Sequence, residues 1–341
     1  MLFQDKRILI TGGTGSLGQE LVSTILSGKL GSPAKVVIFS RDEAKQHRMR
    51  LAWKEKLSAT DEIIYRNPED ILEFHIGDVR AFRSVQTALQ GIDIVINAAA
   101  LKQVPTCEYF PSEAAQTNIT GADNIVKAIA IGRLKIAAVV GVSTDKACKP
   151  VNVMGMTKSI QERLFIEGNL KCPNTRFICT RYGNVLASRG SVIPLFIEQV
   201  KRGGPVTITT REMTRFLMSL EYAVETIIAA IKDAKRGETY IPRMQSARIV
   251  DVAEVLIGGR EIGVTSSGIR PGEKTHEILI SEEECPRTVL RGDFFAIQPI
   301  LPELRDAQQT APPLSEEYSS ANDLMNPDEI RNLLRQNDLL I

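Results

Sequence analysis

Four consecutive residues, Ser143-Thr144-Asp145-Lys146, set two hydroxyls, a carboxyl and an amine side by side, and a second amine follows at Lys158. A lysine beside a bound dinucleotide can orient its nicotinamide ribose, and its charge lowers the pKa of a neighbouring acid. The stretch sits behind an apolar run, Ile136 to Val142, that predicts a buried strand. Residues at the carboxyl end of such a strand face the crevice where α/β proteins bind ligands. The competing reading of Asp145-Lys146 is an ordinary ion pair in a surface loop.

The elements upstream are those that deliver a dinucleotide to such a crevice. Arg7 to Ile10 is a short apolar strand, followed at once by Thr11-Gly-Gly-Thr-Gly-Ser-Leu-Gly18 and a helix with apolar spacing at Leu21, Val22, Ile25 and Leu26. Gly12, Gly15 and Gly18 fit a G-x-x-G-x-x-G pattern in its required strand-turn-helix context, so Gly12, Thr14, Gly15, Ser16, Leu17 and Gly18 are expected around a pyrophosphate. Val36 to Phe39 predicts a second strand, ending in Ser40-Arg41-Asp42-Glu43 with Lys45 one turn on. An acid here favours NAD, and an arginine accommodates the 2′-phosphate of NADP. Ser40, Arg41 and Lys45 point to NADP, while Asp42 keeps NAD possible. The basic run Lys45 to Lys56 reads as a solvated helix face.

A third strand, Leu72 to Ile76, leads to Asp78 and Val79, and a fourth, Ile92 to Ile96, leads to Asn97 and Ala98-Ala99-Ala100, small enough for a cofactor to lie against. A helix is expected from about Pro111 to Gly132, carrying Asn118, and another from Lys158 to about Asn169. Arg176 to Arg181 predicts a sixth strand, ending in Tyr182-Gly-Asn184-Val185. Strands alternating with helices predict a doubly wound parallel sheet of Rossmann type over residues 1–185. From 186 to 300 the alternation gives way to glycine and proline turns, expected to form a smaller substrate-binding domain with a discontinuous boundary. Residues 301–341 are polar and proline-containing, and predict a loosely packed tail with one helix near Asp328 to Leu334.

Bulk properties exclude several classes. A chain of 341 residues with 43% hydrophobic and 24% charged residues is an ordinary globule, and a net charge of +1 predicts no attraction to nucleic acid or membrane. Five widely spaced cysteines, with no C-x-x-C pair, predict neither disulfides nor zinc. No apolar run approaches the ~18 residues of a membrane span, and a strand within six residues of Met1 leaves no room for a signal peptide. A cytoplasmic location is therefore expected. His75 lies inside a strand pattern, and His47 and His276 have no ligand partner at metal spacing, so no metal is expected.

The glycine turn, Asp78, Asn97-Ala-Ala-Ala100, Ser143-Thr144 and Lys158 together resemble the extended short-chain dehydrogenases/reductases. That superfamily places a tyrosine four residues before the lysine; here the position holds Met154, which has no proton to exchange. Within the superfamily, Ser143-Thr-Asp-Lys-Ala147 and Asn152-Val-Met-Gly-Met-Thr-Lys158 resemble the nucleotide-sugar 4,6-dehydratases of capsule, O-antigen and flagellin-glycan synthesis. So do Leu101-Lys-Gln-Val-Pro105, Arg181-Tyr-Gly-Asn-Val185, Met213-Thr-Arg-Phe216 and Gly268-Ile-Arg-Pro-Gly-Glu-Lys274.

The resemblance implies tightly bound NADP, UDP-N-acetylglucosamine as substrate and a homo-oligomer, dimer or hexamer. It implies oxidation at sugar C4, loss of water across C5 and C6, and return of the hydride at C6, with inversion at C5. Lys146, kept neutral by burial near the Lys158 cation, would remove the C5 proton. Asp145 would protonate the departing C6 hydroxyl, and Thr144 would hydrogen-bond the C4 oxygen. Asp78, Val79, Ala98, Ala99, Ala100, Asn118, Lys158, Tyr182 and Asn184 are implied around the cofactor. Lys102, Met154, Asn184, Arg189, Arg215, Arg270 and Glu273 are implied around the sugar nucleotide, Arg215 and Arg270 on its pyrophosphate. Two rivals remain open: a UDP-sugar 4-epimerase, which needs no Asp145-Lys146 pair but normally wants a tyrosine at 154, and a non-catalytic NADP-binding regulator.

Overall fold

The computed structural model describes residues 1–58, 71–186, 191–305 and 311–341. Its centre is a sheet of nine strands. The six strands expected from sequence are present as β1 (Arg7–Thr11), β2 (Lys35–Ser40), β3 (Leu72–Ile76), β4 (Ile94–Asn97), β5 (Ala138–Val142) and β6 (Arg176–Thr180). They lie parallel in the order β3-β2-β1-β4-β5-β6. The near-continuous apolar runs of β1, β2, β4, β5 and β6 follow from burial on both faces, whereas β3, at the sheet edge, is only half-buried. One face is packed by α1 (Ser16–Leu26) and the helix Leu220–Asp233, through Leu21, Val22, Ile25, Val224, Ile227 and Ile231. The other is packed by helices Phe82–Ala88, Gly121–Gly132 and Val153–Lys171, through Val85, Ile125, Ile129 and Phe165.

The chain beyond residue 186 crosses back into this sheet. Thr239–Pro242 continues it in parallel beside β6, and Phe294–Ile297 and Thr288–Arg291 extend it antiparallel. Other segments build a separate apolar cluster around Phe196, Val252, Ala253 and Leu256. The helix expected from Pro111 to Gly132 is interrupted. It runs as Pro111–Ala114, then a π-helical turn Ala115–Thr120, then Gly121–Gly132.

The loose tail expected after residue 301 is not what forms. Tyr318–Ser319 pairs antiparallel with Ile278–Ile280, and the helix Pro327–Gln336 buries Ile330 and Leu334 in the second cluster. Its start is closed by a capping box between Asn326 and Glu329. The two buried positions, spaced four apart, give one apolar stripe on an otherwise polar helix, so the helix expected near Asp328 to Leu334 forms but is packed rather than loose.

Candidate functional site

A cavity of about 1030 Å³ runs along the carboxyl ends of β1, β2, β4 and β5. At one end it is lined by Gly12, Thr14, Gly15, Ser16, Leu17 and Gly18, and by Ser40, Arg41 and Lys45. At the other it is lined by Thr144, Asp145, Lys146, Met154 and Lys158. Asp78, Val79, Ala98, Ala99, Ala100, Lys102, Tyr182 and Asn184 complete its wall. Most residues singled out from sequence therefore meet in one space.

The glycine turn fits a dinucleotide. Gly12 has φ +67°, and a side chain there would sit 2.8 Å from the Ala99 backbone, so only glycine allows the turn to lie against Ala98-Ala99. The start of α1, at Ser16, carries no side-chain cap and no acid in its first turn. Its N–H groups and the positive end of its dipole are thus free for phosphate. Past β2, Lys45 Nζ lies 2.8 Å from Asp42 Oδ2, while Arg41 stands exposed with Nη1 4.0 Å from Asp78 Oδ2. The hydrogen bond from Lys45 holds the Asp42 carboxyl below its ordinary value.

Thr144 starts a short 3-10 turn, Asp145–Ala147, and its hydroxyl hydrogen-bonds Asp145 Oδ1 at 2.9 Å. The turn is gripped from above by the helix Val153–Lys171. A side chain at Gly155 would come within 2.0 Å of the Lys146 carbonyl oxygen, so this close approach also requires glycine. Lys146 Nζ donates to Asp145 Oδ1 at 3.0 Å and lies 3.0 Å from Glu277 Oε1. Asp145 and Glu277 are almost fully buried, yet Asp145 Oδ2 and Glu277 Oε2 have no hydrogen-bond partner.

The pKa shifts of the two lysines run opposite to the expectation that burial keeps Lys146 neutral. Burial works to lower the Lys146 pKa, but Asp145 and Glu277 outweigh it and hold the amine above its ordinary value. Lys158 hydrogen-bonds Gln161 Oε1 at 2.7 Å, and burial brings its pKa down to about 8. The amine that loses its proton readily is Lys158, whereas Lys146 rests as an ammonium between two carboxylates.

Several expected ligands lie elsewhere. Asn118 is fully buried behind the wall, bonding both backbone groups of Leu101 and Thr157 Oγ1. Arg215 spends its guanidinium on the backbone oxygens of Thr214, Lys274 and Thr275. Arg270 is exposed, Glu273 is half-buried, and neither lines the cavity. Arg189 lies outside the described residues. Among the described residues no cluster of His, Cys, Asp or Glu could hold a metal ion, and no helix is long and apolar enough to cross a membrane.

Comparison with known proteins gives this geometry a setting. Residues 8–299 match the model of the family described as polysaccharide biosynthesis protein. The chain belongs to that family. A relative from Rickettsia canadensis, named UDP-glucose 4-epimerase, is 41% identical over 344 residues, covering 98% of this chain and 96% of the relative. The solved structure of Pen from Bacillus thuringiensis superposes with a TM-score of 0.87 at 34% identity, each chain covered completely. The dTDP-glucose 4,6-dehydratase DesIV of Streptomyces venezuelae, with NAD and TYD bound, shares the fold at a TM-score of 0.65 and 20% identity, over 79% of this chain and 86% of that one.

In this member of the polysaccharide biosynthesis family, a second charged cluster lies beneath the first. Arg181, at the end of β6, bonds Glu162 Oε2 at 2.7 Å and Glu284 Oε2 at 2.8 Å. Glu162 also accepts from Ser143 Oγ at 2.6 Å, tying the cluster to the turn that carries Asp145 and Lys146. Burial would raise the Glu284 pKa, but Arg181 prevails and holds it at about 2. Burial also pushes the Cys148 thiol up to about 12, which leaves that cysteine as inert filler. Neither Glu162 nor Glu277 was singled out as a partner of these cations from sequence. Their partners lie 19 and 131 positions away, and no spacing rule links them.

Proposed function

We propose that this chain is an NADP-dependent UDP-N-acetylglucosamine 4,6-dehydratase. The observation that carries the reading is the Asp145-Lys146 pair, joined by a 3.0 Å hydrogen bond and lining the same cavity as the glycine turn. Gly12 to Gly18 would hold the pyrophosphate. Ser40 and Arg41 would hold the 2′-phosphate, and Lys45, paired with Asp42 at 2.8 Å, would offset that carboxylate and turn to the phosphate. When bound, NADP supplies hydride acceptance at sugar C4 and return at C6. Lys158, Tyr182 and Asn184 would face the nicotinamide end and the sugar.

The acid-base step follows from the resting ion pair. A proton passing from Lys146 Nζ to Asp145 Oδ1 yields a neutral amine and a carboxylic acid, the two groups the elimination needs. Lys146 then takes the C5 proton, Asp145 gives its proton to the departing C6 hydroxyl, and one water leaves. The pair ends the elimination as ammonium and carboxylate, as it began, and the proton that the C4 hydroxyl gives up to solvent on oxidation is matched by the one returned from solvent to C5 as the hydride arrives at C6. Thr144 would donate to the C4 oxygen. Met154 is buried beside Cys107 and Ala114, and its thioether would line the sugar side without taking part in proton transfer.

A second reading, UDP-sugar 4-epimerase, is favoured by the name of the Rickettsia relative. Incubation of the purified protein with UDP-N-acetylglucosamine, followed by mass spectrometry and NMR, separates the two. Loss of one water is the expected outcome. Unchanged mass with UDP-N-acetylgalactosamine formed would replace the dehydratase by the epimerase. No reaction with any UDP-sugar, even with NADP⁺ added, would leave a nucleotide-binding regulator.

A further inference from the structure

Lys146 has a second carboxylate that the cycle above does not consume. Glu277 lies 3.0 Å from Lys146 Nζ, is 2% exposed, and keeps Oε2 without a hydrogen-bond partner. Its Oε1 also faces Arg215 Nε at 3.9 Å. The charged groups around the amine are thus Asp145 on its own turn, Glu277 and Arg215 opposite, and Lys274 on the turn before Glu277. Glu277 is fixed by a residue from the last forty. Its backbone N–H donates to Ser320 Oγ at 2.9 Å, and its carbonyl accepts from Ser320 N at 2.8 Å. Ser320 Oγ is in turn 2.7 Å from Thr214 Oγ1, which lies 2.8 Å from His276 Nδ1.

We propose that Glu277 is a positioning residue that holds Lys146 through both halves of the proton cycle, and that Ser320 holds Glu277. When Asp145 carries the shuttled proton, Glu277 still anchors the amine. When Lys146 has taken the C5 proton, Glu277 balances the new charge, which makes the amine a stronger base. The proposal rests on the dehydratase reading for the reaction, though not for the arrangement of charges.

The test uses the full-length protein and needs no turnover. Acetic anhydride modifies only neutral amines, so peptide mass spectrometry gives the pH at which Lys146 begins to react. In Glu277→Gln that onset moves to lower pH, and in Glu277→Asp, which keeps the charge, it returns toward the wild-type value. Ser320→Ala removes a single oxygen and moves the onset the same way by less, which covers the case in which Glu277→Gln does not fold. In turnover, Glu277→Gln lowers kcat about tenfold or more, the loss of one charged hydrogen bond, with KM unchanged. An onset that stays put in the folded variants overturns the proposal. A protein that dehydrates no sugar, yet shows the shifted onset, refutes the dehydratase reading alone.

Discussion

At the ends of two adjacent strands, β5 and β6, a cation is gripped by two carboxylates, and the two grips are built differently. Arg181 is a planar fork with its side chain 3% exposed, and its nitrogens meet both oxygens of Glu162 and both oxygens of Glu284. Ser143 Oγ, Ser281 N and the Cys148 thiol add further hydrogen bonds, so each of the four oxygens has a partner. Lys146 is a point charge with its side chain 19% exposed, and it leaves one oxygen on each of its carboxylates without a partner. A buried ionic cluster earns its stability only when every member is satisfied. The Arg181 cluster meets that condition and reads as framework. The Lys146 cluster does not, and two of its members, Asp145 and Lys146, line the cavity, where a bound molecule can complete a hydrogen-bond set.

This contrast can be broken by experiment. Lys146→Ala should lower dehydration by about 10²–10⁴-fold, as loss of an acid-base pair does, while NADP stays bound; a fully active variant would end the mechanism. Arg181→Met should cost about 3–5 kcal/mol in denaturant unfolding, because it strands two buried carboxylates. If Lys146→Ala proved equally destabilising, the distinction between framework and working cluster would fall.

Lys158 sharpens it further. Its pKa is depressed to about 8 from an ordinary 10.5, so below pH 8 both folded and unfolded chains carry the proton and the burial penalty is felt in full. Between pH 8 and 10.5 the folded chain releases its proton first, and stability from this group rises with pH. Lys158→Met, in cofactor-free protein, should therefore gain on the order of 3 kcal/mol at pH 7, with the gain fading by pH 10.5. A gain independent of pH would show that Lys158 is not the buried cation described.

The sheet was readable in the sequence because its signals are local. Each parallel strand is a short apolar run ended by glycine, asparagine or a polar pair, and the glycine turn sits in its proper context. Boundaries drifted by two residues at β4 and β5, where Ile92 and Ile136 are buried before the strands begin. What stayed hidden depends on distant residues. Arg215 and Arg270 looked alike as phosphate ligands, yet one is absorbed by three backbone oxygens and the other stays in solvent. The charge of Lys146 is decided by Glu277, not by Lys158, and nothing in the local motif announces a carboxylate so far along the chain. Asn118 sits in a recognisable stretch, but its amide is consumed by Leu101 and Thr157.

The contact between Ser320 and Glu277 also sets an order of events during synthesis. On a ribosome the dinucleotide turn and all six central strands emerge before residue 185, and domains can fold as they appear. The carboxylate that steadies Lys146 arrives about a hundred residues later, and its anchor later still. One face of those strands waits for the helix Leu220–Asp233, so the charged pair at Lys146 is completed only after the sheet itself has been covered.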